Sequence, residues 1–309
     1  MEVINVLLSY YLNKLDYFNI PEFLKKYLCC PSLLRLKKVG YFCGMDYASK
    51  DIYQFSEYIS RYDHSLTVAL LTYKLTNDKV TTLAGLFHDI ATPCFSHVID
   101  YMNGDYESQE STEEYTETIL KNDSYLMSCL LEDNIDVDEI INFKKYSIVD
   151  SDRPRLCTDR VDGIILTGIG WTKNIICDDI DKITDDLIIF KNEMGQDEIG
   201  FRTLDVARKV INVNESIDMY CHSKEDNYMM ELLASITKLA IQRKYISYND
   251  LYLYDEDYLI NLFKTTNDSE LKKLMNIFET ITLDDIPDIS LDAVKVRTIK
   301  PFVNGKRIK

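Results

Sequence analysis

Residues 61–97 read RYDHSLTVALLTYKLTNDKVTTLAGLFHDIATPCFSH, and the spacing of their apolar positions decides the fold. From His64 to Leu75 the chain is apolar with few charges, the pattern of a helix buried on most of its circumference. Asn77 and Asp78 punctuate it. Leu83, Leu86, Phe87 and Ile90 then recur at i, i+3, i+4 and i+7, one face of a second helix that Pro93 terminates. The short turn between the two predicts an antiparallel pair, with His64 at the start of the first helix and His88 and Asp89 in the last turn of the second.

Outward from this pair the chain remains helical. Only 10 Gly and 6 Pro stand among 309 residues, about half the usual share, too few for the turns of a many-stranded sandwich or barrel. Residues 1–30 carry two helices, with Pro21 suited to a first helical turn, and Pro31 opens a helical turn followed by an irregular stretch around Gly40 and Gly44. Residues 105–122 are acidic at their start and then amphipathic, which predicts a helix; residues 133–150 are a connector with short helical content. Stretches 178–194, 197–223 and 225–246 show helical periodicity, and a further helix falls within 255–282. The tail VKVRTIKPFVNGKRIK holds six basic residues and no acidic ones, with Val294 and Val296 alternating with Lys295 and Arg297, a short strand or an extended arm. The expectation is an all-α chain: a helical core over 1–175 and a C-terminal helical extension over 176–309 packed on it, ending in a basic, strand-like tail.

Thirty-five Lys and Arg against 51 Asp and Glu give a net charge of -16, so the average surface repels polyanions. Bulk nucleic-acid binding and adhesion to anionic membranes are not expected. A small phosphorylated ligand is compatible, because a metal or a few clustered cations reverse the potential inside one cleft. The eight cysteines show no C-x-x-C spacing and read as reduced thiols. The first residues lack the basic region of an export signal and no apolar run approaches a spanning length, so a cytoplasmic location is expected.

Only four histidines occur, at 64, 88, 97 and 222, and three fall within 34 positions. An ionised Asp89 at the end of an apolar helix is costly to desolvate unless a cation compensates it. If the helix pair is antiparallel, His64 meets His88 and Asp89; Asp159, in the locally apolar LCTDRVDG, is the best fourth partner. Two imidazoles and two carboxylates make a mixed nitrogen and oxygen site for Mn, Fe, Ni, Zn, Co or Mg. The competing reading is a buried ion-pair network without metal. His222 lies far from this group and reads as a surface residue near a helix end.

The order His64, then His88 and Asp89, then Asp159 resembles the H…HD…D signature of the HD-domain metal-dependent phosphohydrolases. More closely, PSLLRLKKVG, RYDHSLTVA, GLFHDIATPCFSH and DRVD are similar to the branch containing the deoxynucleoside triphosphate triphosphohydrolases. The resemblance spans about residues 20–170. It implies an HD-type helical bundle, a divalent metal held by His64, His88, Asp89 and Asp159, and hydrolysis of a phosphoester or phosphoanhydride by metal-activated water. It places His97 at a pocket histidine facing phosphate, and Arg61 and Arg160 at cationic contacts to phosphate. Asp89 would also orient or deprotonate the water, and His97 and Glu113 are the candidate proton donors to the leaving group. A homo-oligomer is expected by the same analogy.

Each role has a plainer competitor. His97 can cap or pack; Arg61 and Arg160 can pair with Asp63 and Asp162; Glu113 can belong to a solvated acidic face. The chain also departs from the triphosphohydrolase pattern. Leu34 stands where a sugar-reading glutamine is usual, Thr92 and Thr112 where histidines are, and Gly163 where a tyrosine follows DRVD. The expectation is therefore a phosphohydrolase of a nucleotide or similar phosphorylated small molecule, with a regulatory metal- or nucleotide-binding module of little turnover as the alternative.

Overall fold

The computed structural model describes residues 6–288 and 295–308, and orders them into fifteen α-helices and one small sheet. Helices α1 (Val6–Lys14), α2 (Glu22–Tyr27) and α3 (Pro31–Arg35) open the chain, α3 with proline at its first turn as the sequence predicts. An irregular stretch follows. Gly44 lies there at φ 76°, with only 2.6 Å between a notional Cβ and the Phe95 ring. A glycine is thus required both by the backbone and by the packing.

The expected helix pair is α4 (Arg61–Thr76) and α5 (Lys79–Phe87). Asn77 turns the chain in the left-handed region at φ 49°, and the Asp78 carboxylate accepts the Thr81 N–H at 2.7 Å to start α5. His88 caps α5 rather than lying within its last turn, and Asp89 stands beyond it. The reason is local: the His88 ring bonds the Gly85 carbonyl at 2.8 Å, the acceptor that the Asp89 N–H would have used had the helix continued.

Helices α6 (His97–Asn103), α7 (Thr116–Asn122), α8 (Ser124–Glu132) and α9 (Asp138–Ile141) wrap this pair. The acidic run before α7 is not helical as periodicity suggested. Asp105 instead accepts the N–H groups of Ser108 and Glu110, closing a turn that competes with helix. Helix α10 (Thr158–Gly170) then packs along α4.

The second half is α11 (Cys177–Asp186), the hairpin β1 (Leu187–Lys191) and β2 (Asp197–Phe201), α12 (Leu204–Cys221), α13 (Lys224–Gln242), α14 (Glu256–Thr265) and α15 (Ser269–Thr280). The hairpin corrects the helical reading of 187–201. Ile188, Ile189 and Phe190 favour extended backbone, and Gly195 at φ 76° makes the turn. In the tail, β3 (Phe302–Val303) pairs in parallel with β2, and β4 (Lys306–Arg307) pairs back on β3. The alternation that suggested a strand began at Val294, outside the described residues; residues 295–300 are extended without strand pairing. One apolar cluster runs from Leu8 to Ile299 and joins both halves of the chain. No helix of the described residues is long and apolar enough to cross a membrane.

Candidate metal-binding active site

Ser60 and Asp63 form a reciprocal cap at the start of α4: the Asp63 N–H donates to Ser60 Oγ at 3.1 Å, and the Ser60 N–H donates to the Asp63 carboxylate at 2.8 Å. That cap fixes the first turn, so Arg61 and His64, three residues apart, share an inward face. Because α4 and α5 run antiparallel, His64 and His88 meet at one end of the pair, with ring centroids 5.1 Å apart. Asp159 arrives from the first turn of α10.

Four side chains distant in sequence converge. His64 Nε2 lies 3.0 Å from Asp159 Oδ1 and 3.8 Å from Asp89 Oδ2; His88 Nε2 lies 3.5 Å from Asp159 Oδ1 and 3.7 Å from Asp89 Oδ1. Donor atoms of His64, His88 and Asp89 fall within 4.8 Å of one another.

Both rings are held in the orientation a metal requires. His64 Nδ1 contacts Asp162 Oδ2 at 2.7 Å, and His88 Nδ1 faces the Gly85 carbonyl, so each ring presents Nε2 to the cluster. The buried His88 Nε2 has no hydrogen-bond partner among the described residues. The donor set therefore fits a divalent cation. Asp150, Cys157 and Asp159 form a second possible trio, but burial pushes the Cys157 thiol up to about 11, away from the thiolate a metal needs.

The electrostatics show what the cluster does without a cation. Burial opposes charge on His64, yet hydrogen bonds to Asp159 and Asp162 raise it to about 10. Burial likewise opposes charge on Asp89, but His88, Arg61 and His64 hold its carboxyl down at about 2. Two ionised carboxylates thus draw protons onto the neighbouring imidazoles. A metal would take the place of those protons.

The remaining candidates separate. Arg61 is buried and pairs with Asp89 at 2.9 Å, not with Asp63; its Nε donates to Ser96 Oγ at 3.1 Å and its guanidinium covers the Tyr41 ring. Asp63 is occupied by the helix cap. Arg160 does not pair with Asp162 either: it donates to the Ser151 carbonyl at 2.8 Å and to the Arg155 carbonyl, holding the loop before α10. His97 opens α6 after Phe95 and Ser96, both in the left-handed region, and contacts Asp100 at 3.0 Å. Glu113 pairs with Lys144 at 2.8 Å. Both line the cavity. His222 caps the end of α12, half exposed and away from the cluster.

Asp162 is the residue whose role the sequence reading missed. It is fully buried and accepts from Tyr11 at 2.7 Å and Thr67 at 2.9 Å besides its His64 contact. Its signal was present: three residues after Asp159 in a helix, it shares that residue's face. Gly163 is explained by Tyr41, whose hydroxyl would stand 2.8 Å from a Cβ there. A tyrosine from another part of the chain occupies the room beside this glycine.

Next to the cluster opens a cavity of about 520 Å³. Its lining includes the cations Lys144, Arg153, Arg160, Lys295 and Arg297 and the aromatic rings of Phe42, Tyr53, Phe55 and Trp171. Phe42 and Phe55 stack with centroids 4.3 Å apart, and Trp171 meets both edge-on.

Comparison with known proteins locates the same segment. The HD domain family matches residues 61–162, from the first residue of α4 to Asp162. Over 261 residues, covering 81% of this chain and 77% of the other, the sequence is 29% identical to the uncharacterized protein YdhJ of Bacillus subtilis (strain 168).

Proposed function

Since residues 61–162 are an HD domain, of the metal-dependent phosphohydrolase superfamily, we propose that this chain hydrolyses a phosphoester or phosphoanhydride of a nucleotide or similar phosphorylated small molecule. The observation that carries the reading is the convergence of two imidazole Nε2 atoms, each oriented through its Nδ1, with two ionised carboxylates. His64, His88, Asp89 and Asp159 would hold the metal. A bound divalent cation lowers the pKa of water and polarises a phosphoryl oxygen.

The chain's own residues do the rest. Arg61, locked onto Asp89 and Ser96, positions that carboxylate and leaves the remainder of its guanidinium for phosphate. Arg160 fixes the loop that carries Ser151 and Arg155 at the cavity wall. His97, held through Nδ1 by Asp100, keeps Nε2 as its proton-exchanging atom; burial lowers its pKa, and Glu113 is raised by its own burial. The Glu113 shift moves that carboxyl toward neutral pH, where a proton donor to the leaving group works best, whereas the His97 shift moves the imidazole away from it. The aromatic rings of the lining suit a planar base, which favours a nucleotide.

Metal analysis of the purified protein, followed by a phosphate-release screen over nucleotides and simple phosphoesters with Mn, Mg, Fe, Ni, Co and Zn, tests the proposal. Turnover that Asp89→Ala abolishes in a folded protein supports it. Tight ligand binding with no turnover under any metal makes the chain a binding module.

A further inference from the structure

The basic tail is not a free arm. Its backbone is tied across the cavity: the Arg297 N–H donates to Asp218 at 2.9 Å, the Arg297 carbonyl accepts from Arg153 and from Asn214, each at 2.6 Å, and the Lys300 N–H donates to the Pro154 carbonyl at 2.8 Å. Beyond this strap, β3 joins the hairpin and Arg307 forks onto Glu193 and Glu198. Away from the cavity the arm therefore pairs one cation, Arg307, with carboxylates.

At the cavity it does not. The Lys295 ammonium donates to the Ser108 carbonyl at 2.7 Å, and the Arg297 guanidinium to the Lys295 carbonyl and the Gln109 amide oxygen. Arg153 reaches only the Arg297 carbonyl. Among the described residues no carboxylate lies within ion-pair distance of these three side chains, in a chain with 51 acidic residues. Cations gathered at one cavity with no carboxylate in contact repel each other; burial and that repulsion, to which Arg160 adds at Arg153, depress both Lys295 and Arg153, while Glu110 pulls Lys295 the other way. Asp159 opposes the repulsion at both, and the trio lines the same cavity as the four-donor cluster. An anion among the three would relieve that repulsion through charge-assisted hydrogen bonds.

We propose that the C-terminal arm completes an anion subsite of Arg153, Lys295 and Arg297, which binds a phosphate group beyond the one at the four-donor cluster and so selects ligands with two or more linked phosphates. The word "selects" rests on the phosphohydrolase reading; the subsite itself does not.

The test separates the two. Calorimetry on the full chain, metal-free, compares inorganic pyrophosphate with orthophosphate in the native protein, in Asp89→Ala, and in Lys295→Gln and Arg153→Gln, with thermal melts to verify folding. The expected result is pyrophosphate binding that is tighter than orthophosphate binding, survives in Asp89→Ala, and weakens about 10-fold in each arm or loop variant. Equal affinities for the two anions, or pyrophosphate binding that Lys295→Gln and Arg153→Gln both leave unchanged, overturn the subsite. If turnover is found, Lys295→Gln should lower kcat/KM for a polyphosphate relative to a monophosphoester by a similar factor, through KM. A ratio that does not move overturns the selectivity while leaving the binding result to stand by itself.

Discussion

The helix-pair end of the molecule and its C-terminal arm treat charge in opposite ways. Around His64 every charge is answered at contact distance: Asp162 on Nδ1, Asp159 at Nε2, Arg61 on Asp89. Asp162 and Arg61 are themselves buried and all three answering groups are hydrogen-bonded, so the cluster is preorganised before anything binds. Along the arm, Lys295 and Arg297 reach only neutral oxygens over a cavity. One region is preorganised by its own partners; the other is left for a ligand to complete.

The sharpest way to break this contrast is at Asp89, where the preorganised region should hold the chemistry. Asp89→Ala is expected to cut metal-dependent phosphate release by on the order of 10³-fold, with circular dichroism unchanged. A variant retaining most of its rate would show that the cluster is only an ion-pair network. A step outward, Asp162→Ala removes the group that orients His64 and should weaken metal affinity by about 10–100-fold, measured by competition against a chelator. If affinity holds, His64 is oriented by something other than its buried partner.

The arm region should respond independently. Gly200→Ala places a Cβ 2.5 Å from the Phe302 carbonyl oxygen, where β2 meets β3. It is expected to weaken docking of the arm by about 1–3 kcal/mol, read as faster hydrogen exchange and proteolysis of residues 295–308, while metal content stays as it was. Loss of metal with loss of the arm would make the two regions one cooperative unit.

The smallest effect concerns the link between them. Glu256, fully buried at the start of α14, accepts the N–H of Phe95 at 2.8 Å and of Gly40 at 3.0 Å, so the C-terminal half braces the turn before His97. Burial pushes this carboxyl up to about 8, against the pull of those two N–H groups. A raised folded-state pKa means that the stability it contributes is full below about 4.5 and is lost as pH rises through about 8. Glu256→Gln should therefore flatten part of the fall in melting temperature between those limits. An identical slope in the variant would remove Glu256 from the account.

Much of the helix-pair region was legible in sequence because its signals are local. The apolar stripes of α4 and α5, the Asn77 and Asp78 turn and the placement of His64 and His88 at the ends of those stripes follow from a 3.6-residue period. The hairpin was not legible: an apolar run of four residues has no period that separates strand from helix, and its single turn glycine is weak punctuation. Asp162 was visible by its helical spacing from Asp159 but was assigned to a neighbouring arginine, because short-range pairing is easier to read than a contact across 98 residues.

Sequence alone determined the helical class, the candidacy of His64, His88, Asp89 and Asp159 as donors and the acidic average, since these rest on composition, on motif order and on periodicity within a few turns. Tertiary structure decided which nitrogen of each imidazole faces the cluster, that Arg61 belongs to Asp89, and that the tail's cations lie over the cavity. Those facts join side chains as far apart as Arg153 and Arg297, and electrostatic interaction depends on distance in space, which no local pattern encodes.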